Sequence, residues 1–248
     1  MDLPIAVMDS ASLAALVPDL PRNVELRACL LSGGRVTAFC GTSHTSPSAA
    51  GPSAVVDDGE GTLFVVGDPD LATLRAALDA DRQDEVIAPI ALGDQVAALV
   101  PGWTRSRIIV HRPSARESLV DDGAVRLLDP AGLPALALPQ DLREELLEAA
   151  GSTAIAATFV DGAPVSFAYA GAVTERWWDV SIDTLEAQRQ RGYAAACVSF
   201  LIRRQRALGR EPVWQAVEQN PASWRLAEKL GFEPVDDLAF FERGSVRA

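Results

Sequence analysis

Ile182-Asp183-Thr184-Leu185-Glu186-Ala187-Gln188-Arg189-Gln190-Arg191-Gly192-Tyr193-Ala194 is the stretch on which the fold turns. Its first residues continue the aromatic and β-branched run that begins at Trp177 and Trp178, so 177–184 reads as a strand. A polar turn with two arginines follows. From Gly192 the chain becomes a run of Ala, Val, Leu and Ile that Gly209 stops, and 192–208 reads as a helix. The start of a helix leaves backbone N–H groups without intrahelical partners, and the helix dipole favours an anion there. Gly192 lets a phosphate come close to the backbone, Ala194 leaves room one step on, and Arg189 and Arg191 add positive charge. The whole reads as a cradle for a pyrophosphate. Alone, so short a motif is weak, because a solvated surface turn carries the same residues. Two other phosphate-binding designs are excluded: there is no GxxxxGK[ST] loop and no GxGxxG after the first strand of a parallel unit.

Outward from this stretch, the C-terminal half alternates strands and helices. Residues 153–160 and 165–170 are β-prone runs joined by Asp161-Gly162, the signature of an antiparallel hairpin. A strand is expected at 125–128 and an amphipathic helix at 142–149. After the 192–208 helix come a short strand at 212–217 and a helix at 221–230, with Asn220 as N-cap and Pro221 at its first position. Gly231 ends that helix and 232–241 forms a last strand. In the N-terminal half, 11–16, 24–31 and 71–80 read as helices, and 36–40, 62–66 and 107–111 as strands. Residues 41–61, rich in Ser, Gly, Pro and Asp, read as loop or partly disordered. The expected organisation is an α/β N-terminal domain at 1–112, a linker at 113–123 and a second domain at 124–248.

The pattern Arg189-x-x-Gly192-x-Ala194, followed downstream by Asn220-x-x-Ser223-x-x-Leu226-Ala227-Glu228-Lys229-Leu230-Gly231-Phe232, resembles the two CoA-side motifs of the GNAT N-acetyltransferase superfamily. The first part matches [Q/R]xxGx[G/A]; the downstream part is similar to the superfamily's Asn-capped helix ending in Gly-Phe. The resemblance covers 125–243. The run from Pro212-Val213-Trp214 through Phe232, with Ala at 227, is most similar to a two-domain acetyltransferase subgroup, and 55–70 resembles that subgroup's N-terminal domain more weakly.

The resemblance implies an α/β (α+β) fold. Its C-terminal domain has a mixed, mostly antiparallel central sheet flanked by helices, beside a smaller α/β N-terminal domain. The implied activity is direct transfer of an acetyl or short acyl group from acetyl-CoA, as cosubstrate, to a primary amine. Backbone groups of Ile182 and Thr184 are expected along the pantetheine amides, and backbone amides of Arg189, Gln190, Arg191, Gly192, Tyr193 and Ala194 on the pyrophosphate. Asn220 and Ser223 are expected near the thioester end of the arm. A strand amide near Ile182 or Asp183 is expected to meet the oxyanion.

One departure stands out: the superfamily often has Tyr where this chain has Ala227, and alanine has no proton to give the departing thiolate. Ser223, a water or the exposed thiolate itself is left to serve. A carboxylate on or beside the strand is the usual kind of base, which makes Asp183 and Asp179 the candidates. Strand alternation puts Asp179, Ser181 and Asp183 on one face and Val180, Ile182 and Thr184 on the other. The competing function is a CoA-binding regulatory or interaction module without turnover.

Of the 248 residues, 48% are hydrophobic and 23% charged, ordinary for a globular protein. The net charge of −12 disfavours nucleic acid, whose binding needs phosphates neutralised, but a local positive patch is enough for CoA. Cys29, Cys40 and Cys197 make an odd count without a CxxC pair, and His44 and His111 lack ligand spacing, so neither a disulfide framework nor a metal is expected. Trp177, Trp178 and Trp214 read mainly as core, and Arg203, Arg204 and Arg206 as partners of a helix C-terminus. The apolar runs are too short or interrupted to span a membrane, and the first residues lack the order of a secretory signal, so a cytoplasmic location is expected. The acceptor is expected to be a small-molecule or peptide amine. The N-terminal half is left as a source of substrate contacts, a homodimer surface or a buttress.

Overall fold

The computed structural model describes residues 9–40, 53–78, 82–121 and 123–244. In chain order the elements are α1 (Ser10–Leu16), α2 (Val24–Leu31), β1 (Thr37–Phe39), β2 (Ala54–Asp57), β3 (Thr62–Val66), α3 (Leu71–Ala77), β4 (Glu85–Pro89), α4 (Gly93–Leu99) and β5 (Thr104–Pro113). There follow β6 (Val125–Leu127), α5 (Gln140–Ala150), β7 (Ala156–Val160), β8 (Ala163–Val173), β9 (Trp177–Thr184), α6 (Tyr193–Arg206), β10 (Glu211–Val217), α7 (Pro221–Lys229) and β11 (Phe232–Glu242). Short 3₁₀ turns punctuate them, one of them at Glu186–Gln188. The chain forms two compact units: Met1–Val110 with Ala216–Trp224 and Pro234–Ala248, and His111–Gln215 with Arg225–Glu233. No helix among the described residues is long and apolar enough to cross a membrane.

The strands of the first unit run in the order β1-β2-β3-β4-β11-β5. Helix α3 carries the chain from β3 to its parallel neighbour β4, as a parallel pair requires, and β4 pairs antiparallel with β11. Period-two alternation gives the sheet two apolar faces. Val55, Leu63, Leu74, Val86, Val96 and Phe241 form one core cluster, and Leu13, Leu26, Leu30, Ala38, Val56 and Val66 form the other. Helices α1 and α3 begin where Asp9 and Asp70 accept the backbone N–H groups of Ser12 and Thr73, at 2.9 and 2.7 Å. Two strands depart from the sequence expectation. β2 falls inside the stretch read as loop, because its four apolar or acidic residues are flanked by Ser, Pro and Gly; pairing with both β1 and β3 holds it. β4, within a run too short for its period to show, is a buried strand. Helix α3 stops at Ala77, short of the expected residue 80; residues 79 and 80, like His44, lie outside the described residues.

The second unit has the order β10-β9-β8-β7-β6, antiparallel except for the parallel pair β9 and β10. Asp161 and Gly162 take φ of 50° and 83°, the paired positive angles of a tight hairpin turn between β7 and β8. On one face Phe167 and Tyr169 pack with Leu133, Leu146 and Ile155 beneath α5. On the other, the Cys197 thiol of α6 lies 3.0 Å from Thr158 Oγ1. Trp177, Trp178 and Trp214 are all buried, and Trp214 meets Phe232 edge-on at 5.6 Å. Arg206 is held by Glu117 and Glu211, and Arg203 donates to the Val120 carbonyl at 3.0 Å. These arginines thus tie α6 to neighbouring segments, beyond the expected service to the helix end.

The division of the chain differs from three consecutive segments at 1–112, 113–123 and 124–248, since 216–224 and 234–244 group with the first unit. Residues 113–121 are also pinned. Ser114 donates through both its N–H and its hydroxyl to the Gly231 carbonyl, at 3.0 and 2.7 Å, and Ser118 N–H donates to Leu230 at 3.0 Å. This close approach is why position 231 holds glycine: its φ is 83°, and an added Cβ would lie 2.6 Å from the carbonyl carbon of Arg116. Gly231→Ala is therefore expected to destabilise the protein by about 2–3 kcal/mol or more, read as a lower urea midpoint at constant m-value.

Candidate functional site

The site grows from the alternation of one antiparallel ladder. Leu185 N–H donates to the Val165 carbonyl at 3.0 Å, and the register continues through Ser166↔Thr184, Phe167↔Asp183, Ala168↔Ile182 and Tyr169↔Ser181. Hydrogen-bonded pairs alternate with non-bonded ones. The backbone groups of Asp183 and Ser181 are therefore committed to β8, while those of Val180, Ile182 and Thr184 point to the opposite edge of β9. Along that edge the registered pairing with β10 stops at Val213↔Asp179, although β9 continues to Thr184. An amide-bearing chain laid along this edge would meet the N–H and C=O groups of Ile182 and the N–H of Thr184, whose carbonyl already accepts from Arg189 Nε. Of the two amides expected near an oxyanion, Ile182 N–H faces this edge and Asp183 N–H faces β8.

Side chains follow the complementary rule. Thr184 shares the α6 face with Ser166, their hydroxyls 2.7 Å apart. Asp183 and Ser181 share the α5 face with Tyr169. Tyr169 donates its hydroxyl proton to Glu145 of α5. Burial raises the Asp183 carboxyl above the usual range, with the Glu145 and Asp141 charges adding to the rise and Arg189 opposing it. Burial likewise raises the Tyr169 phenol, with its bond to Glu145 next in weight. Glu145 and Tyr169 were not singled out from the sequence. Asp141 and Glu145, four residues apart and so on one helical face, carried the available signal.

Beyond Thr184 the chain turns through 186–188, and Arg189 Nε reaches back to the Thr184 carbonyl at 3.2 Å, tying the turn to the strand end. Gln190 and Gly192 both take left-handed conformations, with φ of 62° and 88°. Helix α6 starts immediately after, and its first intrahelical bond is Ala196 N–H to Gly192 at 3.1 Å. The N–H groups of Gly192, Tyr193, Ala194 and Ala195 precede that bond and are the ones a helix start offers to an anion. Among the described residues, a Cβ at Gly192 would meet nothing within 4 Å. A strand edge without registered β10 pairing beyond Asp179 and room at position 192 are each compatible with a CoA-like ligand.

Asp179 Oδ1 accepts the Gln215 N–H at 3.1 Å, an engagement the sequence did not suggest. In the first unit, Asn220 Oδ1 accepts Ser223 N–H at 3.2 Å, the expected cap of α7. Ala227, on the same helix, is fully buried. His111 is also buried, its Nδ1 3.3 Å from the Trp214 carbonyl. Among the described residues no group of three or more His, Cys, Asp or Glu could hold a metal ion.

Residues 156–241 match the family model described as GNAT acetyltransferase. No curated protein matches the chain at a significant level. Among solved structures, the fold is similar to a GCN5-related N-acetyltransferase-like protein from Streptococcus suis 89/1591 (21% identity, TM-score 0.62, 94% of this chain and 97% of that one). It is similar as well to a putative GNAT-family acetyltransferase from Novosphingobium aromaticivorans DSM 12444 (20% identity, TM-score 0.54, 90% and 97%). A GCN5-related N-acetyltransferase from Kribbella flavida aligns at 15% identity and TM-score 0.57, over 95% and 96% of the two chains. These likenesses carry the fold over nearly the whole chain.

Position 192 separates strain from occlusion. Gly192→Ala is expected to cost about 1 kcal/mol of stability through its positive φ while leaving the space open. Gly192→Glu carries the same strain and also sets a negative side chain over the helix start. CoA affinity measured by calorimetry is expected to be retained within a few-fold in the first variant and lost in the second.

Proposed function

We propose, because residues 156–241 match the GNAT acetyltransferase family model, that the protein is an N-acetyltransferase that moves an acetyl or other short acyl group from acetyl-CoA directly to a primary amine of a small molecule or peptide. The observation that carries this reading is the β9 edge, open beyond Asp179 and running into the Gly192 turn and the start of α6. Bound acetyl-CoA supplies the activated acyl group. The protein's part is to bind, orient and move protons. Backbone groups of Ile182 and Thr184 align the pantetheine arm. The amides from Arg189 to Ala194 hold the pyrophosphate, with Arg189 and Arg191 lending charge. Ile182 N–H is the strand donor for negative charge developing on the thioester oxygen, a fixed dipole that needs no reorganisation. The family resemblance assigns the thioester end of the arm to Asn220 and Ser223, and leaves Ser223, a water or the exposed thiolate itself to settle the leaving group's proton.

Asp183 is the base of this reading. Its carboxyl is half-buried and titrates above the normal range, closer to the pH at which an amine must be deprotonated. With Glu145 and Asp141 it also makes the α5 face acidic, which suits a cationic ammonium before transfer.

A second reading, a CoA-binding module without turnover, is favoured by Ala227, which is buried and has no proton to donate. Release of free CoA thiol from acetyl-CoA over a panel of amines separates the two readings. Amine-dependent thiol is expected, and binding without release selects the module.

Acetyl-CoA is expected to raise the melting temperature, with stabilisation approaching ~2.7 kcal/mol at a hundredfold excess over Kd. No shift at millimolar ligand, with the protein folded, would sink both readings. For the base, kcat/KM of the wild type is expected to rise with pH as the raised Asp183 carboxyl ionises. Asp183→Asn removes that rise and lowers kcat/KM by roughly a hundredfold near neutrality, with CoA affinity unchanged. The deficit narrows at high pH, where more of the amine is already free. Full activity of Asp183→Asn across pH would move the base elsewhere.

A further inference from the structure

Strand β10 begins in step with β9 and then leaves it, and a side chain marks the point of departure. Glu211 N–H donates to the Arg176 carbonyl at 2.8 Å, and the register continues through Pro212↔Trp178 to Val213↔Asp179. In a parallel ladder the donors advance in steps of two against carbonyls that also advance in steps of two. The next donor, Val213, belongs to the Trp178 carbonyl, and the one after it, Gln215, to the Val180 carbonyl. Gln215 N–H is instead given to Asp179 Oδ1, 3.1 Å away. A carboxylate accepts an N–H more strongly than a peptide carbonyl does, and it stands off the strand by the length of its side chain. The exchange therefore satisfies the β10 amide while holding its backbone away from Val180 and Ile182.

We propose that Asp179 is a positioning residue: its carboxylate ends the β9–β10 ladder by capturing the Gln215 amide, which keeps the β9 edge from the Val180 carbonyl to Thr184 open for the pantetheine arm. This rests on the acetyl-CoA reading for the identity of the ligand, but the wedge itself does not. It also divides the two strand aspartates by role, with Asp183 on the proton and Asp179 on the strands. Asparagine at 179 keeps an oxygen acceptor of the same reach, so the wedge survives that change, whereas a catalytic base would not.

The test uses the full chain and two independent readouts. Without ligand, Asp179→Ala lets β10 close onto β9, so the Ile182 amide gains a partner in the Gln215 carbonyl. Its hydrogen exchange is expected to slow by about tenfold or more. With ligand, Asp179→Ala is expected to weaken CoA, and to raise KM for acetyl-CoA more than it lowers kcat, by about tenfold. Affinity for 3′-phosphoadenosine 5′-diphosphate, the nucleotide half without the pantetheine, is expected to stay within about twofold. Asp179→Asn restores both readouts and keeps the wild-type pH profile. Should Asp179→Ala not fold, Asp179→Val, β-branched and strand-compatible, takes its place. Unchanged Ile182 exchange, equal weakening of CoA and of the nucleotide half, or an Asp179→Asn enzyme that loses its pH-dependent rise would each overturn the proposal. If the wild type binds no CoA, the acetyl-CoA reading falls, and the exchange measurement still decides the wedge.

Discussion

Leu185 donates to Val165, and that single bond sets the phase of the whole β8–β9 ladder. A ladder one residue out of phase would turn the amides of Ile182 and Thr184 inward to β8, and those of Ser181 and Asp183 outward. Side chains would change faces by the same slip, exchanging Asp183 with Ile182 and Thr184. The phase is held by what each face tolerates. Phe167 and Tyr169 fill the apolar space under α5, while Ser166 pairs with the Thr184 hydroxyl on the α6 side. Apolar packing far from any ligand thus decides which backbone groups are on offer and which carboxylate stands beside them.

The same arrangement would let a strongly acidic protein take the anionic ligand proposed for it. Such an anion would be met mainly by backbone dipoles at a helix start, which carry no formal charge and cannot be titrated away. Arg189 is partly spent on the Thr184 carbonyl, so its contribution is as much to the shape of the turn as to its potential. The carboxylates gather on the opposite face, where the Glu145 and Asp141 charges help to raise the Asp183 carboxyl, and Glu145 and Asp183 help to raise the Tyr169 phenol. Two opposite electrostatic tasks are separated by the thickness of one sheet.

Much of this was legible in the residues. The bounds of β9, the hairpin at Asp161-Gly162, the Asn220 cap and the glycine that opens α6 each follow from short-range preferences, and short-range preferences are what a sequence displays directly. Illegible parts depended on distant pairing. β2 is a strand because β1 and β3 flank it, not because Ala54-Val55-Val56-Asp57 insists on it. Asp179 stands as a candidate base in the sequence because strand alternation puts it beside Asp183; its bond to Gln215 depends on where a parallel ladder stops, which no local pattern records. Tyr169 and Glu145 meet across an element boundary for the same reason.

The pairing of β4 with β11, Glu85 against Glu242, has a consequence for how the protein comes into being. On the ribosome, β4 emerges long before its partner, and the whole of β6 through β10 is made in the interval. Until β11 arrives, the β4 edge of the first sheet presents a row of backbone donors and acceptors with apolar Val86 and Ile87 behind them, a template for the wrong strand. Such long-range closure is slow. The nascent chain therefore carries in its first half a strand edge that is covered only once β11 has been made.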